Sequence, residues 1–330
     1  MASTNGVPPH GASSSSAAAA ASSSTSSAVS RFLDEVLLAS STAEGPVHAW
    51  DLKTGMQLRA YKHTACGRGG LTLVGDDYLV AAHVAKCALD VWTLDRESST
   101  HRFFVGEAIG VVAASPCGAL FAAGGVDGGV FLWETSTGRL LRSWPAHFKA
   151  VSAIAFACDG GVLVTGGEDT VVTTWSVSAA LDPARGADEA PASTHSWAEH
   201  ALPVTGLAIA RGAGSGAASL VVSCSADRTC RVWTLGGGHL LRTMRLPCAL
   251  TSVAIDRCEA TVYAGGADGR IFEIPLHASA AIAESLGADD ASGGGAAAVL
   301  EGHGRAVTSL GAFSSHSSPY DRVGVVNAVP

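Results

Sequence analysis

The chain is short of charge. Only 15% of its 330 residues are Asp, Glu, Lys or Arg, and the balance is acidic, with a formal net charge of −8. That net charge argues against phosphate-backbone binding as the main activity, and there is no Lys/Arg cluster and no interleaving of basic with aromatic residues. Any RNA contact is therefore expected to be weak or indirect. Also lacking is an apolar run of about eighteen residues free of Gly, Ser and charge, so no membrane span is expected despite a hydrophobic content of 47%. The 8 cysteines form no C-x-x-C pair and follow no secretory signal. Neither a zinc site nor redox chemistry is expected from them, and they read as reduced thiols of a cytosolic or nuclear protein. Residues 1–30 contain no Lys, Arg, Asp or Glu and are rich in Ser and Ala. That composition predicts a disordered tail; a plastid transit peptide shares it but normally carries Arg, and the first here is Arg31.

What the chain does have is a period. The segments VHAWDL, LDVWTL, VFLWET, VTTWSV, CRVWTL and the degenerate RIFEIPL place landmarks at Trp50, Trp92, Trp133, Trp175, Trp233 and Ile274. Their spacings are 42, 41, 42, 58 and 41, one repeat with a single insertion. A fixed period of that length, with Trp on one strand of each unit, is the signature of a WD40-type β-propeller, an all-β fold that serves mainly as a binding platform. The 39 glycines suit a fold made of tight turns.

The fourth unit shows the grammar. Ala150 to Phe156 is small and apolar, as a strand at the crowded axis should be, and a turn at Asp159-Gly160-Gly161 follows. Val162 to Thr165, a Gly166-Gly167-Glu168-Asp169 turn and Val171 to Trp175 complete a hairpin. His147, Thr165, Asp169 and Trp175 have the types and spacing for a hydrogen-bond relay from carboxylate through imidazole and hydroxyl to indole N–H. The fifth unit repeats the set as His200, Ser223, Asp227 and Trp233. Buried between strands, such groups would each cost ~1–3 kcal/mol if left unpaired. Other units are incomplete: Ala123 and Ala264 replace the hydroxyl, and Lys86 stands in place of the Asp. A His–Ser/Thr–Asp set also suits a hydrolase, but here it recurs with the repeat, always includes Trp and lacks a Gly-x-Ser-x-Gly elbow. These eight residues are expected to be structural, with no catalytic, cofactor-binding or metal-binding role.

Six landmarks and a new start at Gly302-His303 imply seven blades by design, with the last truncated. The first blade has sequence for two strands and an outer one at Met56–Tyr61, and calls for a strand from the C-terminal end to close the ring. The expected organisation is a disordered tail over 1–31, a propeller over 32–315 and an irregular tail over 316–330. Pro/Gly/Ala-rich insertions at Leu181–Thr194 and Ala278–Ala298 read as surface loops outside the blades.

Several segments go beyond generic repeat text: WDLKTGMQLRAYK, GRGGLTLVGDDYLVAAHVAK at 67–86, VFLWETSTGRLL at 130–141, SWAEHALPVTGLAI at 196–209 and GGADGRIFEIPL at 265–276. Over about Val36 to Leu310 the chain resembles the WD-repeat subunit of the nuclear complex that matures the large ribosomal subunit and processes its second internal transcribed spacer. Plant members are called root initiation defective proteins. The resemblance implies a nuclear scaffold without catalysis or cofactor, binding the protein subunits of that complex, docking on the pre-60S particle and working beside an AAA-type remodelling ATPase. A role in DNA replication licensing is also attributed to family members. The family completes its last blade and continues into a C-terminal assembly segment, and this chain is expected to lack both.

The alternative is a substrate receptor of a cullin-type ubiquitin ligase. Such receptors carry Arg three residues after the strand Trp, where this chain has Lys53, Asp95, Ser136, Ser178 and Gly236.

Overall fold

Runs rich in Val, Ile, Leu and Thr, broken by Gly/Asp turns, form strands because branched side chains pack well on a pleated surface. The computed structural model describes residues 36–40, 46–51, 54–61, 66–75, 77–83, 86–184, 189–210, 219–256, 258–276, 298–314 and 321–326. The tail expected over 1–31 and nearly all of the Ala278–Ala298 insertion lie outside the described residues.

The strands group into successive antiparallel sheets. The first holds β1 (Val36–Ser40), β2 (Val47–Asp51) and β3 (Gln57–Tyr61). The second holds β4 (Leu71–Val74), β5 (Tyr78–His83), β6 (Ala88–Thr93) and β7 (His101–Phe104). The third holds β8 (Ile109–Ala114), β9 (Leu120–Gly125), β10 (Gly129–Glu134) and β11 (Leu140–Pro145). The fourth holds β12 (Val151–Phe156), β13 (Val162–Gly167), β14 (Val172–Ser176) and β15 (Ser193–Trp197), with the short helix α1 (Val177–Ala180) before its outer strand. The fifth holds β16 (Val204–Ile209), β17 (Leu220–Ser225), β18 (Thr229–Thr234) and β19 (Leu240–Arg245). The sixth holds β20 (Leu250–Ile255), β21 (Thr261–Gly266), β22 (Ile271–Pro275) and β23 (Ala298–Leu300). A two-stranded sheet of β24 (Ser309–Ser314) and β25 (Asp321–Val326) follows.

Burial runs radially. The second strands β5, β9, β13 and β17 are buried along nearly their whole length, since each is covered on both faces by neighbouring blades. The outer strands β7 and β19 are largely exposed, and β11 is mostly half-buried. The core is accordingly a series of clusters between blades. Val151, Trp144 and Trp175 join the third blade to the fourth, and Val204, Trp197 and Trp233 join the fourth to the fifth. Outer-strand Trp197 stacks on Trp233 of the next blade at 4.7 Å and 9°, and outer-strand Trp144 meets Trp175 edge-on at 5.8 Å.

The innermost strands β4, β8, β12, β16, β20 and β24 lie successively side by side and enclose an axial channel. Its narrow end, of about 190 Å³, lies where these strands begin, and a wider chamber of about 650 Å³ lies where they end.

Three expectations are corrected. The irregular tail expected over 316–330 contains a strand, because the Val-rich segment Asp321–Val326 pairs with Ser309–Ser314, Leu310 opposite Val325. No C-terminal strand joins the first sheet among the described residues; β1 pairs with β2 and β24 pairs with β25. Ser193 and Thr194, expected in a loop, begin the outer strand β15, Ser193 opposite Trp175.

Candidate functional site: the buried relays and the axial rim

Each relay is assembled by three strands of one blade. In the fourth, His147 lies just before β12, Thr165 on β13, Asp169 in the following turn and Trp175 on β14. His147 Nδ1 is 3.0 Å from Asp169 Oδ1, its Nε2 is 2.8 Å from Thr165 Oγ1, and Trp175 Nε1 donates to that oxygen at 3.0 Å. In the fifth, His200 Nδ1 is 3.0 Å from Asp227 Oδ2, Nε2 is 2.8 Å from Ser223 Oγ, and Trp233 Nε1 donates to that oxygen at 3.0 Å. All four members meet in both blades. The turn acids do more: Asp169 accepts the Phe148 N–H at 3.0 Å, and Asp227 accepts the Ala201 N–H at 3.0 Å and the Thr229 hydroxyl at 2.6 Å.

Burial depresses the pKa of both imidazoles, outweighing the opposing pull of their carboxylate partners. The rings are thus neutral near pH 7. The hydrogen-bond network then assigns Nδ1–H as donor to the carboxylate and Nε2 as acceptor from the hydroxyl. Burial also pushes the Asp227 carboxyl up, but the hydrogen bonds from Thr229, Ala201 and His200 prevail and bring it down to about 2. Ser223 is fully buried and its oxygen already holds the Trp233 indole, so this His–Ser–Asp set offers no nucleophile to a substrate.

The incomplete units show what the missing groups do. In the second blade Ala81 takes the hydroxyl position, two residues beyond Leu79, the partner of Trp92. The Trp92 indole N–H is then buried without an acceptor among the described residues. Buried Asp90 is neutralised there by Arg102, at 2.5 Å and 3.1 Å.

Two repeat-encoded sets join one blade to the next and escaped the sequence pattern. Ser152, Thr205 and Thr251, the second residues of β12, β16 and β20, donate their hydroxyls to the carbonyls of Val204, Leu250 and Val307 in the following blade, at 2.5, 2.9 and 2.5 Å. They form a hydroxyl rim around the axis, interrupted at Gly110 of β8. Arg59, Arg142 and Arg242, each nine residues after a landmark Trp, donate to Leu94, Ala180 and Pro275 carbonyls of the following blade at 2.9, 2.9 and 2.8 Å. The constant offset from Trp was the signal for the arginines; nothing in a strand of small residues marked the rim.

On the entry face, where the innermost strands begin, Phe148 is 98% exposed, with Val126 and Leu202 half-exposed. No group of three or more His, Cys, Asp and Glu able to hold a metal is present among the described residues.

Four-stranded antiparallel sheets around an axial channel, with Trp on the third strand and relays of this kind, define a WD40 β-propeller, a class that acts through its faces and rims. A family model described as WDR54 matches residues 19–234, and the chain belongs to this WD-repeat family. It is 30% identical over 244 residues to Protein ROOT INITIATION DEFECTIVE 3 of Arabidopsis thaliana, covering 73% of this chain and 55% of that protein. It is 33% identical over 230 residues to human WD repeat-containing protein 18, covering 69% of this chain and 51% of the relative. Pre-rRNA-processing protein IPI3 of Yarrowia lipolytica is 34% identical over 246 residues, 72% of this chain and 54% of that protein. The chain thus spans about half the length of the curated relatives it matches.

Proposed function

We propose that this chain is a non-catalytic WD40 scaffold of large ribosomal subunit biogenesis, acting in pre-rRNA processing in the nucleus through protein–protein contacts. The observation that carries this reading is the 34% identity to a pre-rRNA-processing protein across 72% of the chain. Supporting it, the only described His–Ser–Asp set is consumed by the fold, and the net charge of −8 disfavours direct RNA binding. Its partners are then protein subunits of the pre-60S maturation complex, with an AAA-type remodelling ATPase and the pre-60S particle itself, and DNA replication licensing is a second setting for the same scaffold.

Depletion should accumulate precursor rRNA that retains the second internal transcribed spacer. Purified protein should bind RNA weakly and lose that binding at moderate salt. Normal rRNA processing after depletion, with a particular ubiquitin-ligase substrate stabilised instead, would replace the scaffold by the cullin-type receptor.

A further inference from the structure

The third blade places a carboxylate where the fourth places an imidazole. Gly125 and Gly167 end β9 and β13 at the same point of the repeat, and a methyl group added at Gly167 would strike the His147 ring, whereas one at Gly125 would strike the Glu107 carboxylate. In the fourth blade the turn acid Asp169 therefore meets a ring that donates to it. In the third, the turn acid Asp127 lies beside a second acid, and Glu107 Oε2 accepts the Asp127 backbone N–H at 2.8 Å. Burial raises the Glu107 pKa, joined by the nearby Asp127 charge and opposed only in part by the hydrogen bonds from the Asp127 and Gly129 backbone N–H groups. Neither carboxylate has a cationic partner among the described residues.

Two nearby acids repel, a cost that backbone N–H groups offset in part and a cation between them would relieve, and both line one cavity. A pocket of about 360 Å³, open to solvent, is lined by Glu107, Asp127, Phe131, Ser143, Trp144 and Pro145. The Phe131 ring adjoins the Glu107 carboxylate, since a methyl group at Gly129 would touch both. The buried indole N–H of Trp144 has no acceptor among the described residues. Gly128, between the lining residues Asp127 and Gly129, accepts the N–H groups of Ala146 and His147, at 3.0 and 3.1 Å, and the 98% exposed Phe148 is the next residue along the chain.

Two carboxylates and an aromatic ring in one recess match a planar cation with an apolar face. A guanidinium can bridge acids through several N–H donors while stacking on the ring; an ammonium is a compact point charge and does not stack in this way. We propose that this recess takes an arginine side chain of a partner protein, its guanidinium between Glu107 and Asp127 against Phe131, with Phe148 covering an apolar residue next to that arginine. This rests on the scaffold reading only in assigning the arginine to a protein.

The test uses the full chain and N-acetyl-arginine methylamide, titrated into the millimolar range and followed by NMR shifts, with the citrulline analogue as a neutral isostere. Arginine should give saturable shifts at residues around the recess and citrulline none. Asp127→Asn and Phe131→Leu should each weaken binding by about fivefold or more, and Glu107→Gln, which keeps an acceptor for the Asp127 N–H, should do the same. Should Glu107→Gln prove unfolded, the exposed Asp127→Asn variant still decides. Equal response to citrulline, no saturable shift, or unchanged affinity in Asp127→Asn would overturn the proposal. So would displacement of the arginine probe by low calcium, which would mark a divalent-cation site. The titration reads the recess and depletion reads the pathway, so each can fail without the other.

Discussion

Arg68 and Thr308, separated by 240 residues of sequence, meet at the mouth of the axial channel: Arg68 Nε donates to the Thr308 carbonyl oxygen at 2.9 Å. The same guanidinium donates through Nη2 to the Thr205 carbonyl at 3.0 Å. One side chain from the loop before the second blade thereby ties the fifth blade to the segment leading into β24. The side chain lines the channel mouth, where burial lowers the guanidinium pKa although part of it still meets solvent, and that remaining exposure tempers its contribution.

Arg68→Met should keep the hydrocarbon stem and lose the brace. A loss of ~1–2 kcal/mol in urea denaturation is expected, with earlier hydrogen exchange in β24 than in β13. Unchanged stability and exchange would mean that channel water replaces the guanidinium fully.

Asp227 accepts from His200, Ala201 and Thr229, so Asp227→Ala leaves several partners unpaired and should cost ~1–3 kcal/mol. Asp227→Asn keeps an acceptor for the imidazole and should cost less. The ranking can be read from thermal denaturation of the three proteins, and equal losses for Ala and Asn would assign the effect to charge rather than hydrogen bonding.

The hydroxyl rim can be extended. A Cβ at Gly110 would lie 3.8 Å from the Val151 carbonyl oxygen, an ordinary contact from which a serine hydroxyl can reach it as Ser152 reaches Val204. Gly110→Ser should therefore stabilise the fold by ~0.5–1.5 kcal/mol, from the new hydrogen bond and the stiffer unfolded chain. A drop in melting temperature would refute this.

Trp92 offers the matching test in the second blade. Ala81→Ser places a hydroxyl where Thr165 and Ser223 stand in the complete relays, and should give the orphaned indole N–H an acceptor. The expected gain is ~0.5–1.5 kcal/mol in denaturant midpoint; a loss would show that the position is too tightly packed for the oxygen.

Acid should destabilise the relays in two stages. His147 and His200 have folded pKa values lowered from 6.5, so the unfolded chain binds protons first and their contribution, complete above 6.5, declines as pH falls below it. Asp227, lowered from 3.8 to about 2, contributes above 3.8 and loses that contribution as pH falls through about 2. In His200→Gln the fall in melting temperature between pH 6.5 and about 5 should be shallower than in the parent.

The relays were legible because each depends on residue types at fixed offsets within one repeat, and the strands between those offsets hold them at hydrogen-bonding distance. Arg68 was not legible. It lies outside the repeat grammar, and its acceptors are main-chain carbonyls, which carry no sequence signal. The pairing of Asp321–Val326 was missed for a related reason: without Trp or a Gly-rich turn, only a neighbouring strand edge shows that the Val-rich stretch has somewhere to pair.

By itself, the spacing of Trp, Asp and glycine-rich turns determined the blades, because each blade is built from local hairpins whose partners are a few residues away. The contacts between blades were decided only when the ring was assembled. The rim hydroxyls, the arginine clamps, the Trp197–Trp233 stack and the Arg68 brace all join residues of different units. So too with the unmatched acids Glu107 and Asp127. Their types were visible in the chain, but their shared recess exists only where the approach to β8 folds back against the turn between β9 and β10.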